Sequence, residues 1–187
     1  MMKSEVIQMT GSAMTLRRGS VSWLTVSALL MGMNIVLSLS IFSIPVSGGH
    51  LYFCDAVINT AAILLDPLAA FIVGGVRSFL GDFFFYPAPM FVSLVTHGLQ
   101  AVIVSVISHR LPAAKPVLSS SIAVTIGAVV MVIGYTLGRA HVYSTPEYAI
   151  IKLPFEILQA GFGAAVSIVL LYPMRVRSAF RSILNRP

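Results

Sequence analysis

Apolar positions in this chain form long runs that are separated by short polar or proline-containing breaks. A helix that crosses a bilayer needs about 20 apolar residues, and most of these runs approach or exceed that length. Proline and glycine interrupt the pattern and set the predicted helix ends. The pattern predicts six helices, over residues 21–44, 52–65, 67–85, 90–108, 116–137 and 148–172.

The second predicted helix, over residues 52–65, is unusually short. At 1.5 Å per residue it covers only about 20 Å, which is less than the ~30 Å hydrocarbon core of a bilayer. A loop over residues 46–51, with the pair Gly48-Gly49, precedes it, and Asp66-Pro67 follows it. Because proline starts a helix readily but cannot continue one, Asp66-Pro67 predicts a tight break before the third helix.

Composition places this chain in the bilayer. Of its 187 residues 57% are hydrophobic and only 10% are charged, and the mean hydropathy is +0.93. Soluble domains carry about 25% charged residues, so this chain is not expected to be a water-soluble enzyme or a nucleic-acid-binding domain. We predict an all-α, polytopic membrane protein with six transmembrane helices and short loops. ATP hydrolysis would then require another chain.

The placement of basic residues predicts the orientation. With both termini in the cytoplasm, nine of the twelve basic residues lie inside, whereas Arg139 lies outside and Arg77 and Lys152 lie within helices. This bias follows the positive-inside rule and needs no nucleic-acid partner. The nine are Lys3, Arg17, Arg18, Arg110, Lys115, Arg175, Arg177, Arg181 and Arg186. We therefore expect a cytoplasmic segment (1–20), a six-helix membrane domain (21–173) and a basic cytoplasmic tail (174–187).

Ionisable residues within membrane helices are costly, and each suggests a functional site. Four of them fall toward the outer halves of the predicted helices, and further polar or aromatic residues lie in the outer loops. Such a group of carboxylate, amide and aromatic side chains could bind a small polar ring. The ionisable residues are Asp55, Arg77, Asp82, His97, Lys152 and Glu156, and the loop residues are His50, Tyr52 and Tyr86.

Spacing along the sixth helix brings Lys152, Glu156 and Gln159 to one face, because they follow the i, i+4, i+7 pattern. These side chains would either contact a ligand or form a Lys152–Glu156 ion pair near the interface, with the lysine extended toward water. Asp55 and Asn59 lie one turn apart on the second helix. They would either bind a ligand or make hydrogen bonds between helices.

On the fourth helix, His97 and Gln100 share one face. His97 is a candidate ligand contact, with a packing role as the alternative. Arg77 would lie deep in the membrane, where it needs a carboxylate partner or a cytoplasmic exit, and its spacing to Asp82 does not favour pairing within one helix. The four histidines lack metal-ligand spacing and Cys54 is the single cysteine, so we expect no metal and no cofactor.

Small residues form a separate pattern, and Ala28 and Gly32 illustrate it on the first helix. Small residues four apart allow helix backbones to approach closely in lipid. They serve either packing within the chain or docking of a partner. The signatures of ATP-binding phosphate loops, zinc proteases and serine hydrolases are absent, so an intramembrane enzyme has no support beyond isolated serines.

Residues 48–100 resemble the substrate-binding S components of energy-coupling factor (ECF) vitamin importers, above all the riboflavin and hydroxymethylpyrimidine type. The sixth helix, with Pro154 and Gln159, fits the same family, as do the chain length and the six short-looped helices. The segments that carry the resemblance are Gly48-Gly49-His50-Leu51, Asp55-Ala56-Val57-Ile58, Leu65-Asp66-Pro67-Leu68-Ala69-Ala70, Gly74-Gly75, Gly81-Asp82 and Tyr86-Pro87.

The resemblance implies a subunit that captures a vitamin from outside the cell in a bacterial plasma membrane. It also implies a transmembrane coupling subunit and two ATP-binding cassette ATPases as partners. The family's docking pattern of two alanines four apart is matched by Ala28, whereas Gly32 departs from it. The family's binding regions favour His50, Tyr52, Tyr86, Glu156 and Gln159, and then Asp55, Asn59, Asp82 and His97.

The expected ligand is a small pyrimidine, with hydroxymethylpyrimidine, a thiamine precursor, as first choice. Glu156 and Gln159 would pair with an aminopyrimidine edge, and Tyr52 or Tyr86 would stack on its face. Riboflavin and pantothenate are alternatives. Riboflavin would need more aromatic surface, and anionic pantothenate would favour Lys152 or Arg139. A stand-alone channel or facilitator for small molecules is the alternative from a different functional class.

Overall fold

The computed structural model describes residues 7–10, 13–16, 18–38, 44–46, 49–111 and 114–184. It is an all-α bundle with two short antiparallel hairpins. The strands are β1 (Ile7–Thr10), β2 (Ala13–Leu16), β3 (Ile44–Val46) and β4 (Gly49–Leu51). The helices are α1 (Val21–Val36), α2 (Cys54–Leu64), α3 (Pro67–Phe85), α4 (Met90–Arg110), α5 (Pro116–Tyr143), α6 (Pro146–Leu171) and α7 (Val176–Leu184).

The helices run alternately up and down between two ends of the bundle. One end holds the β3–β4 hairpin, the turn between α3 and α4, and the turn between α5 and α6; we call it the hairpin end. The other holds the start of α1 and the C-terminal helix α7; we call it the terminal end. Of the described helices, α3, α4, α5 and α6 are long and apolar enough to cross a membrane, whereas α1 and α2 are shorter apolar helices. Six spans therefore remain a prediction.

The outer surface of the bundle is apolar, and many polar side chains lie inside it. Leu29 on α1 and Ile150 on α6 are about 70% exposed, as lipid-facing side chains would be. Asp55, Gln100 and Ser105 are fully buried. Because a water-soluble protein rarely leaves so much apolar surface uncovered, this distribution agrees with an all-α protein embedded in a bilayer.

The first helix is shorter than the sequence predicts. α1 ends at Val36 and Ile44 lies in β3, so the predicted extension to residue 44 is wrong. The Ser38 hydroxyl donates a hydrogen bond to the carbonyl of Asn34 at 3.0 Å and competes with helical bonds at this end. Pro45 also disfavours the helical conformation for Ile44, the residue before it. The predicted loop over residues 46–51 includes strand β4 and the end of β3.

The short helix α2 is confirmed, and all of its residues are buried. The break after it is confirmed as well. Asp66 is the N-cap of α3, and its carboxylate accepts a hydrogen bond from the backbone N–H of Leu68 at 3.1 Å. Pro67 occupies the first helical position, where its missing N–H costs no hydrogen bond.

A π-helical segment, Ile72–Val76, lies within α3 and brings it against α4. A Cβ atom on Gly75 would lie 2.8 Å from the Cα atom of Gly98, and one on Gly74 would lie 2.9 Å from the carbonyl oxygen of His97. A side chain at either position would overlap α4. The two glycines therefore fix His97 close to α3.

Both terminal segments contain structure that the sequence does not predict. Residues before Val21 include the β1–β2 hairpin, in which Leu16 joins the hydrophobic core. The basic tail contains α7, and Val176 and Phe180 of this helix pack against the core. These two apolar residues lie four apart among arginines and serines, so one narrow face of α7 covers the terminal end of the bundle.

Candidate functional site

Asp55 lies at the centre of a buried polar network at the hairpin end. It is in the first turn of α2 and is fully buried. The Gln100 amide of α4 donates to its Oδ1 atom at 3.2 Å, and the Gln159 amide of α6 donates to its Oδ2 atom at 2.8 Å. Nδ1 of His97 lies 3.8 Å from the same Oδ1 atom. Three helices therefore meet at one carboxylate.

The carboxylate fixes the direction of these hydrogen bonds. The oxygens of Asp55 accept hydrogen bonds from Gln100 and Gln159, which turn their NH₂ groups toward it and their carbonyl oxygens away. The Gln100 oxygen then lies 2.8 Å from Nδ1 of His97, so this ring nitrogen carries the proton and donates. The Gln159 oxygen accepts a hydrogen bond from the backbone N–H of Tyr52 at 3.1 Å. Gln159 thus joins α2, α6 and the end of the β3–β4 hairpin.

Asn59 extends the network one turn deeper along α2. Its Oδ1 atom lies 3.4 Å from Nε2 of Gln100. Its Nδ2 atom is buried and has no hydrogen-bond partner among the described residues. We call Asp55, Asn59, His97, Gln100 and Gln159 the Asp55 cluster. Its amides and imidazole surround a carboxylate whose hydrogen bonds come from two amide groups.

Gly163 explains how α2 and α6 come close enough to form this cluster. A Cβ atom at position 163 would lie 2.4 Å from the Cβ atom of Asp55. Any side chain there would push Asp55 away from Gln159. Gly161, on the same helix, has nothing within 4 Å of such an added atom. The two glycines of this helix therefore differ, because Gly163 packs inward and Gly161 faces outward.

Glu156 lies in a second buried cluster, between α5 and α6. Its Oε1 atom pairs with the Arg139 guanidinium, and its Oε2 atom accepts a hydrogen bond from Thr136 at 3.3 Å. The rings of Tyr143 and Tyr148 flank Arg139, with centroids 5.7 Å and 6.0 Å from its Cζ atom. We call Thr136, Arg139, Tyr143, Tyr148 and Glu156 the Arg139 cluster. Glu156 and Gln159, which the sequence places on one face, thus contact different neighbouring helices.

Lys152 is also buried, and its Nζ atom lies 5.8 Å from the centroid of the Phe155 ring. The ion pair that the structure shows for Glu156 leads to Arg139 on α5. The hydrophobic pattern places Arg139 in an outer loop, because it predicts that the fifth helix ends at residue 137. The π-helical turn Arg139–Tyr143 continues this helix and returns the guanidinium to the bundle.

Asp82 of α3 occupies a half-buried position beside the Asp55 cluster. Its carboxylate lies near the Ser93 hydroxyl, which accepts a hydrogen bond from the Tyr135 hydroxyl at 2.6 Å. The Tyr135 ring packs edge-on against His97, with ring centroids 5.2 Å apart. Asp82 is therefore connected to His97 through two aromatic or hydroxyl side chains.

The remaining candidates lie at the hairpin end. Tyr52 is half-buried, and burial, followed by the nearby Asp82 carboxylate, raises the pKa of its hydroxyl, which stays protonated at neutral pH. Tyr86 is 62% exposed at the end of α3. The His50 backbone pairs with Pro45 in the hairpin, and the His50 side chain lies outside the described part of the structure.

Arg77 is buried where α3 meets α1. Its guanidinium donates to the backbone carbonyl of Asn34 at 2.8 Å and to the Ser78 hydroxyl at 3.2 Å. No ion pair joins Arg77 to Asp82 among the described residues, which agrees with their spacing. A backbone carbonyl takes the place of a carboxylate partner, which was one of the two alternatives for Arg77.

Ala28 and Gly32, the predicted docking residues, lie on the outward face of α1. Both are exposed, and a Cβ atom added to Gly32 would have nothing within 4 Å. Packing within the described bundle therefore does not require a glycine at this position. Their role in docking stays a prediction.

Comparison with known proteins identifies the family. The family model for the ECF-type riboflavin transporter S component matches residues 19–176. A Pyrococcus woesei protein named "uncharacterized protein in gap 3'region" is 34% identical over 134 residues, which cover 72% of this chain and 88% of that protein. The matched family consists of membrane-embedded substrate-binding subunits of transporters, and these are not enzymes. The chain belongs to the ECF-type riboflavin transporter S component family.

Proposed function

We propose that this protein captures riboflavin or a closely related planar vitamin at the hairpin end of the bundle, through the Asp55 cluster. The observation that carries the proposal is a buried carboxylate on α2 that is held by neutral amides from two other helices, α4 and α6. Burial of an ionisable side chain within a membrane protein is energetically costly, and such residues commonly mark a binding site. A coupling subunit and two ATP-binding cassette ATPases would complete the transporter.

The chemistry of the cluster favours a neutral ligand. Asp55 contacts two amides and an imidazole. An anionic vitamin such as pantothenate would face this carboxylate at short range, where like charges repel strongly in a medium of low dielectric constant. The edge of a flavin ring has carbonyl and ring-nitrogen groups, which can form hydrogen bonds with the amide groups of Gln100 and Gln159.

Hydroxymethylpyrimidine has less support than the sequence suggested. Its aminopyrimidine edge was expected to pair with Glu156 and Gln159. Both oxygens of Glu156 contact Arg139 or Thr136 in the Arg139 cluster, outside the Asp55 cluster, so Glu156 and Gln159 do not present one edge to a ligand. Hydroxymethylpyrimidine therefore serves as the competing ligand in the test, and riboflavin, for which the matched family is named, becomes the first choice.

A binding titration tests the ligand and the site together. Riboflavin, hydroxymethylpyrimidine and pantothenate would each be titrated into the purified chain in detergent by calorimetry. We expect riboflavin to bind most tightly, and we expect Gln159→Ala to weaken binding about tenfold or more through loss of its hydrogen bonds. Gly161→Ala is the matched control on the same helix, because an added methyl group there meets open space. Equal riboflavin affinity in all three proteins would contradict the proposed site.

A transport assay separates an S component from a facilitator. Vesicles that contain the chain alone, or the chain with a coupling subunit and two ATPases, would be loaded with ATP and supplied with riboflavin. Accumulation only in the complete complex supports the S component. Uptake by the chain alone, down its gradient, would identify a facilitator instead.

We further propose six spans in a plasma membrane, with both termini in the cytoplasm and the hairpin end outside. The outward face of α1, with Ala28 and Gly32, would then contact the coupling subunit. Labelling of single cysteines by a membrane-impermeant reagent tests the orientation. Cys54 would first be replaced by alanine, and Tyr86→Cys should react from outside in intact cells, whereas Arg181→Cys should react only after lysis.

A further inference from the structure

Pro154 divides α6 into two parts near the hairpin end. It lies inside this helix, two residues before Glu156. Proline lacks a backbone N–H, so it cannot donate the helical hydrogen bond to the carbonyl of residue 150, and its ring crowds that carbonyl. The first two turns of α6, residues 146–153, are therefore less firmly coupled to the rest of the helix than an unbroken helix would allow.

Arg139 contacts both sides of this discontinuity from α5. Before the proline, the Tyr148 ring lies over the guanidinium at 6.0 Å. After the proline, the Glu156 carboxylate pairs with it. Arg139 and Glu156 are 7% and 4% exposed, so water screens the pair poorly. A single side chain of α5 thus holds the two parts of α6 in one arrangement.

The part of α6 after the proline also carries Gln159. This residue lies one turn beyond Glu156 and donates to Asp55 from the neighbouring face of the helix. Because both oxygens of Glu156 already contact Arg139 and Thr136, the carboxylate has a structural partner on each oxygen. A shift of this turn would move Gln159 relative to Asp55.

We propose that Arg139 and Glu156 are positioning residues, which set the place of Gln159 in the Asp55 cluster and do not touch the vitamin. The inference rests on the proposed function, because it concerns capture at that cluster. It assigns Glu156 a role different from the ligand contact that the sequence suggested. It also makes the turn of α6 that carries Glu156 and Gln159, just after Pro154, the part of the site whose position depends on this ion pair.

The test compares Arg139→Gln, Glu156→Gln and the double variant by calorimetric titration with riboflavin. Each single substitution leaves one buried charge without its partner, and we expect riboflavin to bind about tenfold to a hundredfold more weakly. The double variant restores a neutral pair that can still form a hydrogen bond, and its affinity should return to within about threefold of the unsubstituted protein. Arg18→Gln, in an ion pair at the terminal end, is the matched control and should bind normally.

A second double-variant experiment tests whether Glu156 affects riboflavin affinity through Gln159. In the background of Gln159→Ala, the further substitution Glu156→Gln should change riboflavin affinity by less than about threefold, because the group that it positions is gone. Thermal unfolding of each ligand-free variant, measured in parallel, separates a change of position from a general loss of stability.

The outcomes are distinct. Recovery in the double variant and loss of the effect in the Gln159→Ala background support positioning. A double variant as weak as Glu156→Gln alone, or an undiminished effect without Gln159, would overturn it and make Glu156 a direct ligand contact. If the unsubstituted protein binds no riboflavin, the proposed function fails. The distance between positions 52 and 159, measured by crosslinking in the same variants, would then still decide the positioning role.

Discussion

Two carboxylates mark the two ends of the short helix α2, and their surroundings differ. Asp55, at the hairpin end, is held by the neutral amides of Gln100 and Gln159. Asp66 follows the C-terminus of α2, at the terminal end of the bundle. It accepts hydrogen bonds from the Arg18 guanidinium at 2.7 Å, from the Trp23 indole and from a backbone N–H. One carboxylate lacks a cationic partner among its described hydrogen bonds, and the other has one.

This difference indicates that Asp55 can exchange its hydrogen-bond partners for a ligand, whereas Asp66 stabilises the fold. Amide donors lose little when a ligand replaces them, because the exchanged hydrogen bonds are alike in strength. Asp66 accepts hydrogen bonds from an arginine, an indole and a backbone N–H, so removal of its carboxylate uncaps α3 and leaves the buried Trp23 indole N–H without a partner. We therefore expect substitutions near Asp66 to change stability and substitutions near Asp55 to change binding.

The largest effect is expected from Asp66→Ala. The substitution removes a helix cap and leaves the Trp23 indole N–H without its partner, so the free energy of unfolding should fall by about 2–4 kcal/mol. Thermal unfolding in detergent measures this change. Riboflavin affinity of the fraction that stays folded should be unchanged. A loss of affinity without a loss of stability would reverse the comparison between the two ends.

Gly163→Ala should have the next largest effect, and it acts at the Asp55 end. The added methyl group overlaps the Cβ atom of Asp55, and overpacking of this kind costs about 1–3 kcal/mol of unfolding free energy. Because the overlap displaces Asp55 itself, riboflavin affinity should fall as well. Gly161→Ala, on the exposed side of the same helix, is the control. Equal behaviour of the two variants would contradict the close approach of α2 and α6.

Asp55→Asn should weaken binding by about tenfold, or about 1.4 kcal/mol, with a smaller change in stability. The substitution keeps the size of the side chain but replaces one acceptor oxygen by a donor, so one of the two amides must turn around. Calorimetry with riboflavin measures the affinity, and thermal unfolding measures the stability. A variant that unfolds readily yet binds normally would give Asp55 the role assigned here to Asp66.

The smallest effect is expected from Arg18→Gln. The Arg18 side chain is 58% exposed, and ion pairs that water reaches contribute about 0–1 kcal/mol. The difference in unfolding temperature between the variant and the unsubstituted protein should shrink further as salt is raised to about 1 M, because salt screens this pair. A large difference that persists in salt would show that Asp66 depends on the charge of Arg18.

Helix positions could largely be predicted because local chemistry decides them. Pro67 and the prolines at 87 and 89 end apolar runs where the structure ends helices. The first helix was overextended because apolar residues continue past Val36, while a serine hydroxyl and the effect of Pro45 act against helix there. α7 escaped prediction because its apolar residues, Val176 and Phe180 among them, alternate with arginines and serines and form no continuous apolar run.

The partners within the site could be predicted only in part. Burial of Asp55, Asn59 and His97 follows from their place in apolar runs, so their choice as candidates needed no structure. Which helix each side chain contacts depends on packing over long sequence separations, as in the 104 residues between Asp55 and Gln159. The pairing of Arg139 with Glu156 was missed because a π-helical turn, invisible in the hydrophobic pattern, extends α5 and buries Arg139.

The complete burial of α2 has a consequence for how the protein is made. Its 11 residues extend about 16 Å, too short to cross a bilayer alone, and they carry Asp55 and Asn59. During synthesis this segment gains little from lipid and much from α4 and α6, which emerge from the ribosome later. A nascent chain that stops before Met90 should therefore fail to retain α2 in the membrane, and its insertion should be complete only after α6 has been synthesised.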